Sequence, residues 1–140
     1  MKRALVRCIM DAGPLVALFS RSDRRHAWVA KKLRGYATPV LTSDGVIVET
    51  QHILGRAGLS AEPLFKLLEG GTLLVLRPEE QAVLRTVQLC RLYSSVPMAW
   101  ADACLVQLSE LHRDARICSF DNDFTVYRRF SKEPIPLDCP

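Results

Sequence analysis

Residues 4–19 read ALVRCIMDAGPLVALF. The first seven, Ala4–Met10, form a short apolar run rich in strand-forming residues. Asp11 to Pro14 then make a turn that can begin a helix, with the proline in its first turn, and we expect that helix to continue to Phe19. A buried strand that leads through a tight turn into a helix is typical of α/β folds.

The same alternation continues along the chain. Further strands are predicted at Thr38–Leu41, Thr72–Leu76 and Ala115–Phe120, with a fifth, at a sheet edge that tolerates prolines, at Ile135–Leu137. Helices are predicted at Arg24–Leu33 after an Asp23 cap, from Ser43 to Gly55 or Gly58, from Ser60 to Gly70-Gly71, from Pro78 to about Tyr93, from about Met98 to His112, and over Phe124, Tyr127 and Phe130. We expect a three-layer α/β/α sandwich with a central, mainly parallel sheet of four to five strands, in a single domain over residues 1–140.

The bulk composition is that of an ordinary globular protein. The chain has 140 residues, of which 49% are hydrophobic and 24% charged, so one core is expected. No apolar run approaches the roughly 20 residues that span a bilayer, and Arg7 and Asp11 interrupt the start before a signal-peptide core can form. These features predict a cytoplasmic protein without a membrane segment.

The five cysteines do not predict a disulfide framework or a zinc site. They are odd in number and widely spaced, and no C-x-x-C pair or zinc-finger histidine pair accompanies them. Four lie in apolar stretches, where a free thiol behaves as a small hydrophobic residue. We interpret them as structural thiols in a reducing compartment.

The net charge of +4 understates how basic the outer surface would be if four carboxylates converged in one site. The 19 basic residues against the 11 acids outside such a site would leave a surplus of +8 elsewhere. Fourteen of the 19 are arginines, which suit forked contacts to phosphate. This balance favours a polyanionic partner, although charge alone also serves solubility.

Two aspartates follow predicted strands directly. Asp11 comes after the first strand and Asp121 after the fourth. Ligands of an open parallel sheet bind at the carboxyl ends of its strands, so the two carboxylates would face one another if these strands are neighbours. Each aspartate alone could equally be a turn former or a helix cap.

Two further acids lie inside apolar stretches, Glu49 in VIVETQHIL and Asp102 in MAWADACLV. Glu49 lies close to the edge of an apolar helical stripe, and Asp102 shares a helix face with Ala99 and Leu105, so both are predicted to face inwards. A buried carboxylate needs a cation, which could be one of the arginines or a metal ion. Four converging carboxylates would repel one another unless a hard cation neutralised them, and oxygen ligands without cysteine or histidine select Mg²⁺ or Mn²⁺. The sequence therefore predicts one or two divalent ions at this site.

The acids lie in segments that resemble the PIN domain family, and within it the VapC-type toxins of prokaryotic toxin–antitoxin pairs. The matching segments are DAGPLVALF, VIVETQHIL, MAWADACLVQLSE and SFDNDF, in the family's order and spacing from Asp11 to Phe124. No single segment is specific, but the ordered set is, and it covers nearly the whole domain.

The resemblance places the family's four acids at Asp11, Glu49, Asp102 and Asp121. It makes Asp123 a frequent additional acid and Ser119 a nearby hydroxyl. Many relatives carry serine or threonine two residues after the first aspartate, where this chain has Gly13, so one hydroxyl that could assist the metal or the water is missing.

The resemblance implies hydrolysis of RNA phosphodiester bonds. Asp11, Asp102 and Asp121 would hold Mg²⁺ or Mn²⁺ directly or through water, and Glu49 would hold a second ion or orient the attacking water. Cleavage would leave a 5′-phosphate and a 3′-hydroxyl. Five arginines could follow the RNA backbone: Arg21, Arg24, Arg25, Arg128 and Arg129. Trp28 and Trp100 are interpreted as packing residues.

By the same resemblance, the protein would form a homodimer and be silenced by a cognate antitoxin. Two other functions stay open at this point. A degenerate PIN fold could grip RNA or a partner without cutting it, although the acidic set is complete. A phospho-receiver domain also uses an acidic crevice, but it needs a lysine after a late strand, and RICSFDNDF contains none.

Overall fold

The computed structural model describes residues 5–77 and 79–140, with Gln81 described by its backbone alone. Ala4, where the first strand is predicted to begin, and Pro78, where the fifth helix is predicted to open, lie outside the described residues. The strands are β1 Cys8–Met10, β2 Val40–Thr42, β3 Leu73–Val75, β4 Arg116–Cys118, β5 Arg128–Arg129, β6 Glu133–Pro134 and β7 Leu137–Asp138. The helices are α1 Ala12–Phe19, α2 His26–Arg34, α3 Asp44–Arg56, α4 Glu62–Glu69, α5 Glu80–Leu92 and α6 Trp100–Leu111, with a 3₁₀ helix at Asn122–Thr125.

Five strands form one parallel sheet in the order β3-β2-β1-β4-β7. The predicted fold class is confirmed, and the predicted fifth edge strand is present as β7. Its core strands are buried on both faces, which explains why they are continuous apolar runs in the sequence. The sheet order makes β1 and β4 neighbours, with Met10 beside Cys118. The ends of these strands, and the acids that follow them, therefore meet.

The helix boundaries follow local capping. Ser43 accepts a hydrogen bond from the N–H of Val46 and caps α3 as predicted. At the other end, Gly58 adopts a positive φ of 71°, which a glycine tolerates, and the chain leaves the helix there. Asp23 is not the cap of α2, because that helix begins at His26 and Asp23 accepts the N–H of Arg25 in the preceding turn.

Two differences lie near the end of the chain. The helix predicted after Asp121 is a single 3₁₀ turn that ends at Thr125, so Tyr127 and Phe130 follow it. Phe124 and Tyr127 are buried, but Phe130 is half-exposed. The antiparallel pair β5–β6 was not predicted, because two-residue strands leave no periodic signal in the sequence.

Among the described helices, none combines the length and the apolar character needed to cross a bilayer. All five cysteines are free thiols, as expected, and Cys8, Cys104 and Cys118 are buried in the interior.

Candidate active site

The structure brings the four predicted acids together in one crevice at the carboxyl ends of the parallel strands. Asp11 follows β1, Glu49 lies in the middle of α3, Asp102 lies in the first turn of α6, and Asp121 follows β4. With Asp123, they line a cavity of about 460 Å³ that we call the acidic crevice. Gly13 and Phe120 form part of the same wall. The lining residues include no lysine, arginine or histidine, so the crevice is strongly negative.

Ser119 organises two of these acids. Its hydroxyl donates a hydrogen bond of 2.7 Å to Oδ2 of Asp11 and accepts one of 3.0 Å from the N–H of Asp121. The other carboxylate oxygen of Asp11 accepts the N–H of Ala12, so Asp11 also caps α1. Asp121 in turn caps the 3₁₀ helix by accepting the N–H of Asp123. Both aspartates therefore cap local structure and also line the acidic crevice.

The two helical acids reach the crevice from less buried positions than the sequence predicted. Asp102 is half-buried, and its carboxylate accepts a long hydrogen bond of 3.4 Å from the N–H of Ala99. Glu49 is exposed, so the prediction that it faces the interior is wrong. It projects into the crevice from the rim because α3 packs closely on α6, where Gly45 lies against Ala101.

The acids raise one another's affinity for protons. Burial raises the pKa of Asp102 to about 6, and the nearby charges of Asp11, Asp121 and Glu49 contribute. Although Glu49 is exposed overall, partial desolvation of its carboxylate at the crevice rim raises its pKa, and the charges of Asp11 and Asp121 add to the effect. Burial also raises the pKa of Asp11, whereas the hydrogen bond from Ser119 lowers it and so offsets part of this rise. The crevice therefore holds carboxylates whose ionised forms lack a neutralising charge.

These residues suit a divalent cation in their chemistry. Carboxylate oxygens without nitrogen or sulfur donors are the ligands of Mg²⁺ and Mn²⁺. A bound cation would also relieve the repulsion between the ionised carboxylates. Their positions are looser than the sequence predicted. In the part of the chain that the structure describes, no three acidic, histidine or cysteine side chains lie close enough together to hold one ion. A compact ligand set is therefore not confirmed.

Of the predicted RNA-binding arginines, two lie beside the crevice. Arg24 and Arg25 line a second cavity of about 310 Å³, which we call the arginine pocket. Arg21 is exposed but lines neither cavity. Arg128 donates through Nη1 to the carbonyl oxygens of its own loop, including those of Thr125 and Tyr127.

Arg129 cannot contact RNA in this fold. Its side chain is buried, and the whole residue is only 4% exposed. The guanidinium donates to the hydroxyl of Ser109 and to the carbonyl oxygens of Arg113 and Ala115. The prediction that Arg129 follows the RNA backbone is wrong. Its N–H groups instead bind α6 and the segment between α6 and β4.

The sequence indicated no role for Phe120 at the site or for the Tyr127 hydroxyl, and the predicted packing of Trp100 is wrong. Phe120 lines both cavities, although it looks like the last apolar residue of a strand. Tyr127 is buried, and its hydroxyl has no hydrogen-bond partner among the described residues. Burial and the nearby carboxylate of Asp102 raise the pKa of Tyr127. Trp100 is 49% exposed, so it is not the packing residue that the sequence suggested, whereas Trp28 packs on Phe120.

Comparison with known proteins supplies an independent view of this arrangement. The family model described as PIN domain matches residues 8–129. No curated protein matched the chain. Among solved structures, VapC20 of Mycobacterium tuberculosis, a toxin that cleaves the sarcin–ricin loop, superposes with a TM-score of 0.77. The match covers 91% of this chain and 99% of that one at 18% sequence identity, which shows a shared fold.

Proposed function

Because the chain belongs to the PIN domain family, we propose that it is an endoribonuclease that hydrolyses RNA phosphodiester bonds with Mg²⁺ or Mn²⁺ bound in the acidic crevice. The observation that carries this proposal is the convergence of Asp11, Glu49, Asp102 and Asp121 on one cavity, whose lining among the described residues includes no neutralising side chain. Carboxylates that raise one another's pKa are suited to holding cations and moving protons.

In this mechanism Asp11, Asp102 and Asp121 would hold one divalent ion, with Asp123 as an additional acid. A bound divalent ion lowers the pKa of water and stabilises the phosphate oxygens as they gain charge. Glu49, at the exposed rim, would either accept the proton of the attacking water or hold a second ion, in which case that proton would pass to solvent. The water oxygen bonds to phosphorus, the bond to the 3′-oxygen breaks, and that oxygen takes a proton from solvent. The products carry a 5′-phosphate and a 3′-hydroxyl.

The test is cleavage of RNA by purified protein with Mg²⁺ or Mn²⁺ and with a chelator. Asp102→Asn removes one charge from the crevice, and we expect it to lower the cleavage rate at least about 100-fold while the protein stays folded. Asp114→Asn is the matched control, because Asp114 is an exposed aspartate that pairs only loosely with Arg7 at 3.8 Å. Cleavage by Asp102→Asn at the original rate would refute the site. Binding of RNA without cleavage by the unaltered protein would instead favour the non-cutting PIN-fold module.

We also propose that this ribonuclease is the toxin of a VapBC-type pair, that it acts in the cytoplasm as a homodimer, and that an antitoxin silences it. Support comes from the shared fold with a toxin, VapC20. Induction of the unaltered protein should arrest growth of a bacterial host, whereas induction of Asp102→Asn should not. Co-expression of a small neighbouring open reading frame should restore growth. If growth continues unchanged under induction of active nuclease, the toxin assignment fails.

A further inference from the structure

The Tyr127 hydroxyl is a buried donor without an acceptor. It has no hydrogen-bond partner among the residues that the structure describes, and the whole residue is fully buried. Burying a polar group without a partner is unfavourable, and native structures contain few such groups. A phenylalanine would fill the same space without this cost. The hydroxyl therefore calls for a function other than packing.

The Tyr127 side chain packs between two segments that supply acids of the crevice. Its own N–H donates to the carbonyl oxygen of the site acid Asp123 at 3.1 Å. Its ring meets the ring of Tyr93 edge to face, at 5.0 Å between centroids. The carbonyl oxygen of Tyr93 accepts the N–H of Met98, and that segment leads into the first turn of α6, where Asp102 lies. The ring thus lies between the segments that carry Asp123 and Asp102.

Asp102 is the site acid that acts most strongly on this hydroxyl. Burial is the main cause of the raised pKa of Tyr127, and the charge of Asp102 comes next, ahead of the charges of Asp123 and Asp121. A contact between the phenol and the Asp102 carboxylate contributes as well, but it is looser than a hydrogen bond. Because its pKa is raised, the phenol keeps its proton at neutral pH and can donate to a carboxylate.

The Asp102 carboxylate is held less firmly than that of Asp11. Asp11 accepts two short hydrogen bonds, of 2.8 Å and 2.7 Å. Among the described residues, Asp102 accepts only the long hydrogen bond of 3.4 Å from the N–H of Ala99. A carboxylate that binds a metal ion is commonly oriented by a further hydrogen bond from a neighbouring residue. The Tyr127 hydroxyl is the donor that can orient Asp102 in this way.

We infer that Tyr127 is a positioning residue whose hydroxyl donates a hydrogen bond to one oxygen of Asp102 and directs the other oxygen towards a divalent ion. This inference rests on the proposed metal-dependent function and deepens it, because it adds a residue that is not an acid to the metal site. Tyr127 is too deeply buried to touch RNA, so it acts through Asp102.

Metal binding in the absence of RNA tests this role apart from cleavage. Tyr127→Phe removes one oxygen atom and keeps the ring, so we expect Tm to stay the same or to rise slightly. Calorimetric titration with Mn²⁺ should show binding about 10-fold weaker than in the unaltered protein. Tyr93→Phe is the matched control, since the Tyr93 hydroxyl accepts the N–H of Arg128 at 3.0 Å. It should lower Tm and leave the Mn²⁺ affinity unchanged.

Two further backgrounds show whether Tyr127 acts through Asp102. Asp102→Asn and Asp121→Asn each remove one charge from the crevice, and each should weaken Mn²⁺ binding. In the Asp121→Asn protein, Tyr127→Phe should weaken binding about 10-fold further. In the Asp102→Asn protein, it should have no further effect, because the two residues form one unit. A role in packing alone would give equal changes in both backgrounds.

The hydroxyl can also be observed directly by NMR. The chain has three tyrosines, so ¹³C labelling at the phenol carbon gives three signals, which Tyr36→Phe and Tyr93→Phe assign. Saturating Mg²⁺ should move the Tyr127 signal in the direction of stronger hydrogen-bond donation. The Tyr36 signal should stay in place, because its hydroxyl already donates to Asp138 at 2.6 Å.

Each outcome has a separate meaning. Equal Mn²⁺ affinities of the unaltered protein and folded Tyr127→Phe overturn the role of Tyr127 and leave the metal site standing. Equal further losses in the Asp102→Asn and Asp121→Asn proteins overturn its action through Asp102. If Tyr127→Phe does not fold, the Mg²⁺ titration decides, and a stationary Tyr127 signal refutes the hydrogen bond. An unaltered protein that binds neither ion contradicts the proposed function, and the inference falls with it.

Discussion

Ser119 donates a hydrogen bond of 2.7 Å to Asp11, between the ends of the neighbouring strands β4 and β1. The same hydroxyl accepts the N–H of Asp121, so one serine fixes the relative positions of two candidate ligand carboxylates. A residue that hydrogen-bonds to a metal-binding carboxylate orients that carboxylate. Its loss commonly lowers metal affinity, although the residue itself does not contact the metal.

We therefore predict that Ser119→Ala lowers RNA cleavage about 10- to 100-fold at a fixed Mn²⁺ concentration. The loss should be partly recovered at higher Mn²⁺, because the variant weakens metal binding rather than removing a ligand. Losing the hydrogen bond also raises the pKa of Asp11 further, since that bond stabilises the ionised carboxylate. Cleavage rates over a Mn²⁺ titration provide the measurement.

Ser109→Ala is the control for this prediction. Ser109 is also a buried serine with a charged partner, but its hydroxyl accepts from Arg129 and lies outside the acidic crevice. This variant should lose stability without any change in its Mn²⁺ dependence. Similar Mn²⁺ curves for the two alanine variants would show that Ser119 has no special role.

The raised pKa of Asp102 predicts how stability changes with pH in metal-free protein. Its pKa of about 6 in the folded state exceeds its ordinary value of 3.8, so the folded state binds the proton more tightly than the unfolded chain does. The stabilisation is complete below about pH 4 and is lost as the pH rises through about 6. Asp102→Asn cannot ionise and should therefore escape this loss.

We expect Asp102→Asn to raise Tm at pH 7.5 by about 2–5 °C without metal and to leave it unchanged near pH 4. The effect is modest because solvent screens a half-buried carboxylate. Thermal unfolding at both pH values, with chelator present, measures it. Equal differences at the two pH values would mean that repulsion within the crevice is not the cause.

The contact between Gly13 and Phe120 predicts different effects for two glycine substitutions. Gly55 lies inside α3 with open space around it, so Gly55→Ala should raise the free energy of unfolding by about 0.5–1 kcal/mol. Gly13→Ala gains the same helix propensity but places its methyl group 3.0 Å from the Phe120 ring, so the gain should vanish and the ring should shift. Denaturant unfolding compares the two. A full stabilisation by Gly13→Ala would show that Phe120 yields freely.

Burial of Arg129 predicts a structural role. Arg129→Met should lower the free energy of unfolding by about 2–4 kcal/mol, because it leaves the carbonyl oxygens of Arg113 and Ala115 without their charged donor. Arg128→Met, one position away, should cost far less, since Arg128 only binds carbonyls of its own exposed loop. Cleavage per folded molecule should be unchanged in Arg129→Met. A selective loss of cleavage would restore Arg129 to the substrate surface.

The fold was predictable because its determinants are local. Each core strand is a short apolar run, and the turn after β1 and the cap at Ser43 use residues with strong conformational preferences. The strands are shorter than predicted because each apolar run in the sequence continues past the last residue that pairs with a neighbouring strand. Before Cys8, for example, Val6 contacts Tyr36 only through an isolated bridge.

The meeting of the four acids in one crevice was predictable from the sequence, but the details of that crevice were not. Helical periodicity placed Glu49 near the edge of an apolar stripe, and only the packing of α3 on α6 decides that this edge faces a solvent-filled crevice. The burial of Arg129 depends on carbonyl oxygens 14 and 16 positions earlier in the chain, which no charge pattern reveals. Phe120 resembles any apolar strand residue until Gly13 and Arg25 are placed beside it.

The bond between Asp11 and Ser119 joins residues 108 positions apart, and β1 occupies the middle of the sheet between β2 and β4. During synthesis on the ribosome, Asp11 is made early, whereas Ser119 and Asp121 are made only after most of the domain. A nascent chain, or a proteolytic fragment that ends before β4, holds an incomplete set of carboxylates. The set of carboxylates that the proposed nuclease requires is therefore complete only when the domain is nearly finished.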